Sequence, residues 1–213
     1  MTLGFSSRFS NLRQILALAC LMPALIALMP EFAAADQRVN FLYQPTGFGR
    51  GGSGDLYLSQ TVMTNSDRLK SVQWIIGETK NQTFDNTGNI VTARPPLDTV
   101  MDAFNQEFKA AGYNVINVDT LPAGVKKGII LGSVSIKLEE IDKLYKVETT
   151  CSVKISFETW RNGSVIKKLN YENSYSDSTI LDRDMILLKT MQTALQELMA
   201  RIVRETSVTI EQK

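Results

Sequence analysis

The spacing of hydrophobic and polar positions changes period several times along this chain. The sharpest alternation runs through "LYKVETTCSVKISFETW". There Val147, Cys151, Val153, Ile155 and Phe157 share one register, and Lys146, Glu148, Lys154 and Glu158 share the other. A period of two with one apolar side predicts a strand buried on one face and wet on the other. "IILGSVSIKLEEI" repeats the pattern, with Ile130, Val134, Ile136 and Leu138 set against Ser133, Ser135, Lys137 and Glu139. Shorter strand-like runs occupy 39–44 (ending at Pro45), "DLYLSQTV" from Asp55, 71–81 with Val72, Trp74 and Ile76 on one side, and "YNVINV". Asn162-Gly163 between two alternating runs predicts a two-residue hairpin turn, because both residues accept positive φ. The polar run "NQTFDNTGN" from Asn81 reads as a loop.

Two segments carry a helical period instead. Leu97, Val100, Met101, Phe104 and Phe108 form one stripe, entered through Pro95-Pro96 and stopped at Gly112. Leu188, Met191, Leu195, Leu198 and Ile202 form a second and longer stripe, with Thr179 and Asp182 resembling a capping box before it. The tail "TSVTIEQK" is polar and reads as loosely held. Two amphipathic helices and one-sided strands predict an α+β fold, a mostly antiparallel sheet with both helices packed on one face.

Residues 45–55 form a glycine-rich loop that contains a formal G-x-G-x-x-G at Gly47, Gly49 and Gly52, with Asp67 downstream. A dinucleotide-binding turn needs those glycines to open a helix whose N-terminus faces the pyrophosphate. Here they run into an alternating, strand-like segment, so the pattern reads as a loop and no cofactor is expected.

Composition then narrows the chemistry. Arg8 and Arg13, the apolar run Ile15 to Met29 and the small residues ending at Ala35 make residues 1–35 a signal peptide, cleaved before Asp36. Residues 36–213 are then a single domain. Cleavage removes two of the 23 basic and one of the 22 acidic residues, so the mature chain has no formal net charge. That balance gives no electrostatic reason to expect nucleic acid. The alternative start is lipidation at Cys20, which follows Ala19 but lacks a leucine at position 17. Membrane association is expected only with that lipid. After cleavage at Ala35, Cys151 alone remains, among apolar neighbours, as an inert core thiol.

The chain has no histidine. This excludes Ser-His-Asp and Cys-His catalysis, HExxH peptidases and histidine-held metals. The densest acidic cluster is Glu139-Glu140-Asp142, and on a strand Glu139 and Glu140 point to opposite faces. A facing carboxylate pair is therefore not indicated, and neither a metal site nor an enzyme is expected.

The run "YKVETTCSVKISFETWRNGSVIKKLNYENSYSDS", the later "LQELMARIVRETSVTIEQK" and the upstream "LDTVMDAFNQEFKAAGYNV" together resemble the YajG-like family of bacterial envelope lipoproteins, over about residues 71–210. The resemblance implies an exported envelope protein with a helix-backed sheet, and it implies no catalytic residues. The weak lipobox at Cys20 and the glycine-rich segment depart from the family.

The function expected is a non-catalytic envelope component in the periplasm or at the periplasmic face of the outer membrane, binding an envelope protein or a lipid or glycan precursor. Its expected partner surface is the wet sheet face, with Lys146, Glu148, Lys154, Glu158 and Trp160. The alternatives are a carboxylate-only hydrolase and a structural subunit that self-associates through a strand edge, where Lys167 and Lys168 would act as protection.

Overall fold

One long strand organises the sheet in the computed structural model, which describes residues 36–47, 49–61 and 73–212. The expected signal segment with Cys20 and Ala35, and also Val62, Asp67 and Val72, lie outside the described residues. The strands are β1 (Gln37–Arg38), β2 (Asp55–Gln60), β3 (Trp74–Lys80), β4 (Asn86–Thr92), β5 (Asn114–Asn117), β6 (Lys127–Asp142), β7 (Val147–Arg161) and β8 (Ser164–Thr179). Helix α1 (Pro96–Ala110) lies between β4 and β5, and α2 (Arg183–Glu211) follows β8.

Strand β6 pairs along its length with β7, and β7 with β8, both antiparallel. On its other side β6 is shared. Its first half takes β2 in parallel through Leu131, and its last part takes β3 in parallel from Leu138. Beyond these, β5 adds parallel to β2, β4 adds antiparallel to β3, and β1 adds parallel to β4. The sheet is therefore mixed rather than mostly antiparallel. Four of its seven pairings among the described residues are parallel, although the longest are antiparallel.

The alternation on β7 sets the core. Val147, Cys151, Val153, Ile155 and Phe157 are buried, and Phe104 of α1 meets the Phe157 ring edge-on at 5.4 Å. Helix α2 contributes Met191, Leu195, Leu198 and Ile202 to the same core. Strand β6 reaches this face only by changing parity. Leu131 opposes Phe157 and Val134 opposes Ile155, with a bulge between them. Ile130 consequently stands in register with Glu158 on the outer side, and Leu131 takes the core place expected for it. A bulge adds one residue and so reverses the face of everything beyond it.

Several local expectations give way to tertiary contacts. Residues 39–44 are not a strand. Val39, Phe41 and Tyr43 are buried in turn, but after Val39 N–H donates to Val91 O the segment leaves the sheet and crosses to the helices. It is held there by Glu107 of α1, and Gln192 and Gln196 of α2 donate to Gln44 O. The predicted loop from Asn81 includes the first half of β4. Thr179 ends β8, and its hydroxyl accepts from the N–H groups of Leu181 and Asp182 instead of capping the helix. The polar tail continues α2 to Glu211, with Thr206, Ser207 and Ile210 buried.

Candidate functional site

The outer face of β6, β7 and β8 is built from cross-strand pairs. Thr150 opposes Ser176, Ser152 opposes Ser174, Lys154 opposes Glu172 and Glu158 opposes Lys168. Their side chains close at 2.8, 3.2, 2.8 and 2.7 Å respectively. Directly opposed residues on one sheet face sit close enough for such pairs to form without distortion. Each of these charges is thus answered by its neighbour, and the strip they form is locally neutral. Lys154 and Glu172 remain 60% and 59% exposed, so their ion pair adds little to stability.

The five residues expected to form a partner surface share this side without forming one site. From Glu148 to Trp160 the strand runs roughly 40 Å. At one end Glu148 is paired with Lys143 and Lys146, and these ammonium groups hold its carboxyl below the usual carboxylate range. At the other end Trp160 opposes Gly128, where a Cβ would meet Leu121 Cδ1 at 2.9 Å. The indole N–H is buried there without a hydrogen-bond partner.

What periodicity does not reveal is the end of the sheet beside Lys146 and Glu148. Val147 pairs with Thr179, which sets the β6–β7 turn next to the β8–α2 turn. Leu144, Tyr145, Ile180, Leu181 and Met185 are all exposed there, at 69%, 80%, 77%, 87% and 63%. Ion pairs rim this apolar tip, Lys143 and Lys146 with Glu148 on one side and Arg183 with Asp142 at 2.7 Å on the other. An exposed cluster of large apolar side chains rimmed by polar groups is unusual on a surface with no partner. The residues were visible in the chain, but their adjacency depends on the β7–β8 register.

A second feature arises where β6 is shared. Between Leu131, where β2 ends, and Leu138, where β3 joins, a cleft of about 640 Å³ opens. Ser135, Lys137, Glu139, Thr150 and Ser152 line it from the outer register, together with Ile75. Gly77 lets β3 approach, since a Cβ there would stand 2.1 Å from Leu138 O. Lys80 bridges Glu78 and Glu139 across the junction.

The acidic cluster divides as strand geometry requires. Glu139 faces outward to Lys80, whereas Glu140 is buried on the helix side, 3.9 Å from Arg183. The described residues contain no group of three or more ligands able to hold a metal ion, and no helix among them is long and apolar enough to cross a membrane. Cys151 is fully buried, and burial pushes its thiol up to about 12.

The glycine-rich loop leads into strand β2, so no helix N-terminus stands behind its glycines. It is packed against the helix layer. A Cβ at Gly49 would lie 2.8 Å from both Ala111 Cβ and Val203 Cγ1, and Gly52 N–H donates to Ala111 O at 3.0 Å.

No family model matches the chain, and no curated protein matches it. Among solved structures it is similar to a protein from Xanthomonas campestris, at 10% identity and a TM-score of 0.45 over 82% of this chain and 96% of that one. It is also similar to a minor lipoprotein from Acinetobacter baumannii, at 10% identity and a TM-score of 0.33 over 72% and 90% of the two chains. Rare lipoprotein B from Shewanella oneidensis is a third, at 10% identity and a TM-score of 0.31 over 61% and 89%. These are distant likenesses to bacterial proteins, two of them lipoproteins, and they do not single out the YajG-like family.

Proposed function

We propose that this chain is an exported, non-catalytic component of the bacterial envelope that docks a protein partner at the apolar tip of its sheet. The observation that carries this reading is the tip itself. Leu144, Tyr145, Ile180 and Leu181 are exposed on two turns set next to each other by the Val147–Thr179 pairing, with the Lys146–Glu148 and Arg183–Asp142 pairs beside them. A desolvated apolar centre with a polar rim is the anatomy of a protein interface. Lys146 and Glu148 belong to this interface; Lys154, Glu158 and Trp160 lie along the outer face beyond it. The export pattern of residues 1–35 and the resemblance to YajG-like proteins support a periplasmic place for the domain, tethered to a membrane if Cys20 is lipidated.

A photoreactive amino acid at Leu181 or Tyr145, incorporated in cells, tests the proposal. A discrete protein adduct from these positions, absent with the same probe at Trp160, is expected. Adducts with lipid alone would replace the protein partner by the membrane surface. An equal yield from Trp160 would remove the tip as the docking site.

The second reading is self-association along β8, which among the described residues pairs with β7 alone and leaves a 16-residue edge. Lys167 and Lys168 oppose such pairing. Sedimentation that depends on concentration would favour it. The hydrolase reading loses its support, because Glu139 and Glu140 face opposite sides of the sheet.

A further inference from the structure

On the helix side of the molecule, the glycine-rich loop and the outer stripe of α2 enclose a groove of about 670 Å³. Its walls include Arg50 and Gly51 from the loop and Arg201, Arg204 and Ser207 from α2. Residues 201 and 204 are one turn apart on one helix face. The loop cannot move away freely, since Gly49 is wedged against Ala111 and Val203 and Gly52 is bonded to Ala111 O. Arg50 is therefore held beside a helix that presents two further guanidinium groups.

Arg201 is fixed in place. Its Nη2 donates to Glu172 O at 2.7 Å, and its guanidinium lies 5.6 Å from the centre of the Tyr171 ring. Its Nε is buried with no partner. Arg50 and Arg204 have no ion pair among the described residues. Ser207 also lines the groove, and its buried hydroxyl stands within reach of the Tyr113 hydroxyl.

Two carboxylates also line the groove, and both are engaged elsewhere. Glu211 pairs with Lys127 at 2.6 Å, and Glu197 accepts from Asn173 Nδ2 at 3.1 Å. The C-terminal turn of a helix carries partial negative charge, so an anion belongs at the Arg201–Arg204 turn and not at the Glu211 end. A guanidinium fork pairs with a carboxylate or a phosphate, and three of them around one groove suit the larger oxygen set of a phosphate.

We propose that this groove binds a phosphate ester, held by Arg50, Arg201 and Arg204. The volume is that of a small-molecule site and exceeds a bare phosphate, leaving room for the rest of the ester. The site is on residues apart from the sheet tip and stands or falls separately from the docking proposal.

Calorimetry on the full chain at low salt tests it, with sn-glycerol 3-phosphate as one probe and phosphatidylglycerol vesicles in phosphatidylcholine as the other. Saturable binding of the soluble ester assigns the groove to free phosphate esters; binding of the vesicles alone assigns it to lipid headgroups. In either case Arg204→Ala should weaken binding by about tenfold, the loss expected for one charge-assisted hydrogen bond. Arg50→Ala should do the same, and Lys154→Ala on the opposite face should change nothing. Arg50 and Arg204 are exposed, so thermal melts of both variants should match the parent. Absence of binding to both probes overturns the proposal. Equal weakening by Lys154→Ala overturns it too, because the attraction would then be diffuse.

Discussion

Tyr43 donates its phenolic hydroxyl to the Glu107 carboxylate at 2.6 Å, and both side chains are buried. The same carboxylate accepts from Thr46 N–H at 2.6 Å and from the Thr46 hydroxyl. One glutamate of α1 therefore ties down the segment that leaves β1 and crosses the helix layer. Removing it leaves buried donors without an acceptor, which costs more than the bonds themselves are worth.

Glu107→Ala is accordingly expected to lower the unfolding free energy by about 3 kcal/mol, and Tyr43→Phe by about 1 kcal/mol. Urea titration gives both values. The double variant should cost less than the sum, since the two residues share a bond. Additive losses would mean that they act independently.

Alkali should destabilise the fold before it damages the chain. Burial pushes the Cys151 thiol and the Tyr113 hydroxyl up to about 12, and burial followed by Glu107 raises Tyr43 further. These groups have raised values in the folded chain, so the folded state holds protons that the unfolded state loses. Their stabilising contribution is complete below about pH 9 and is lost as pH rises toward the folded values. The urea midpoint should fall as pH rises from about 9 toward about 12. A midpoint that stays level would show that these groups ionise without unfolding.

Two glycines separate crowding from backbone strain. Gly77→Ala drives a Cβ to within 2.1 Å of Leu138 O, and the backbone atom cannot yield without opening the β3–β6 junction. A loss of at least about 3 kcal/mol is expected. Gly124 has open space around it but φ of +72°, so Gly124→Ala should cost only about 1 kcal/mol. Similar losses at both sites would contradict the packing described for β3.

The apolar tip should be dispensable for folding. Ile180 and Leu181 are 77% and 87% exposed, so replacing both with serine removes almost no buried area. The melting temperature should hold while partner capture is lost. A clear fall in melting temperature would mean that the tip packs onto the domain and is not free for docking.

The elements that periodicity predicted are those whose pattern is local. The β7 alternation, the Asn162-Gly163 turn with φ of 51° and 75°, and the α1 stripe closed by Gly112 at φ +107° all follow from neighbours in sequence. The missed ones depend on distant partners. Gly88 and Asn89 look like loop until β3 lies beside them, and Thr206 and Ser207 look like tail until the helix layer buries them. Nothing near Ile130 announces that a bulge two residues later will exchange its face with that of Leu131.

By itself the sequence determined an α+β domain with helices backing a sheet and a chemistry without histidine. Side-chain period and composition carry that much, because they are properties of the chain at short range. Only the tertiary structure decided that β6 serves β2 on one half and β3 on the other, that two turns meet as an apolar tip, and that Arg50 stands beside Arg201 and Arg204. A strand's period states which of its faces is buried. It does not state which strand lies beside it, and that choice comes from packing between residues far apart in the chain.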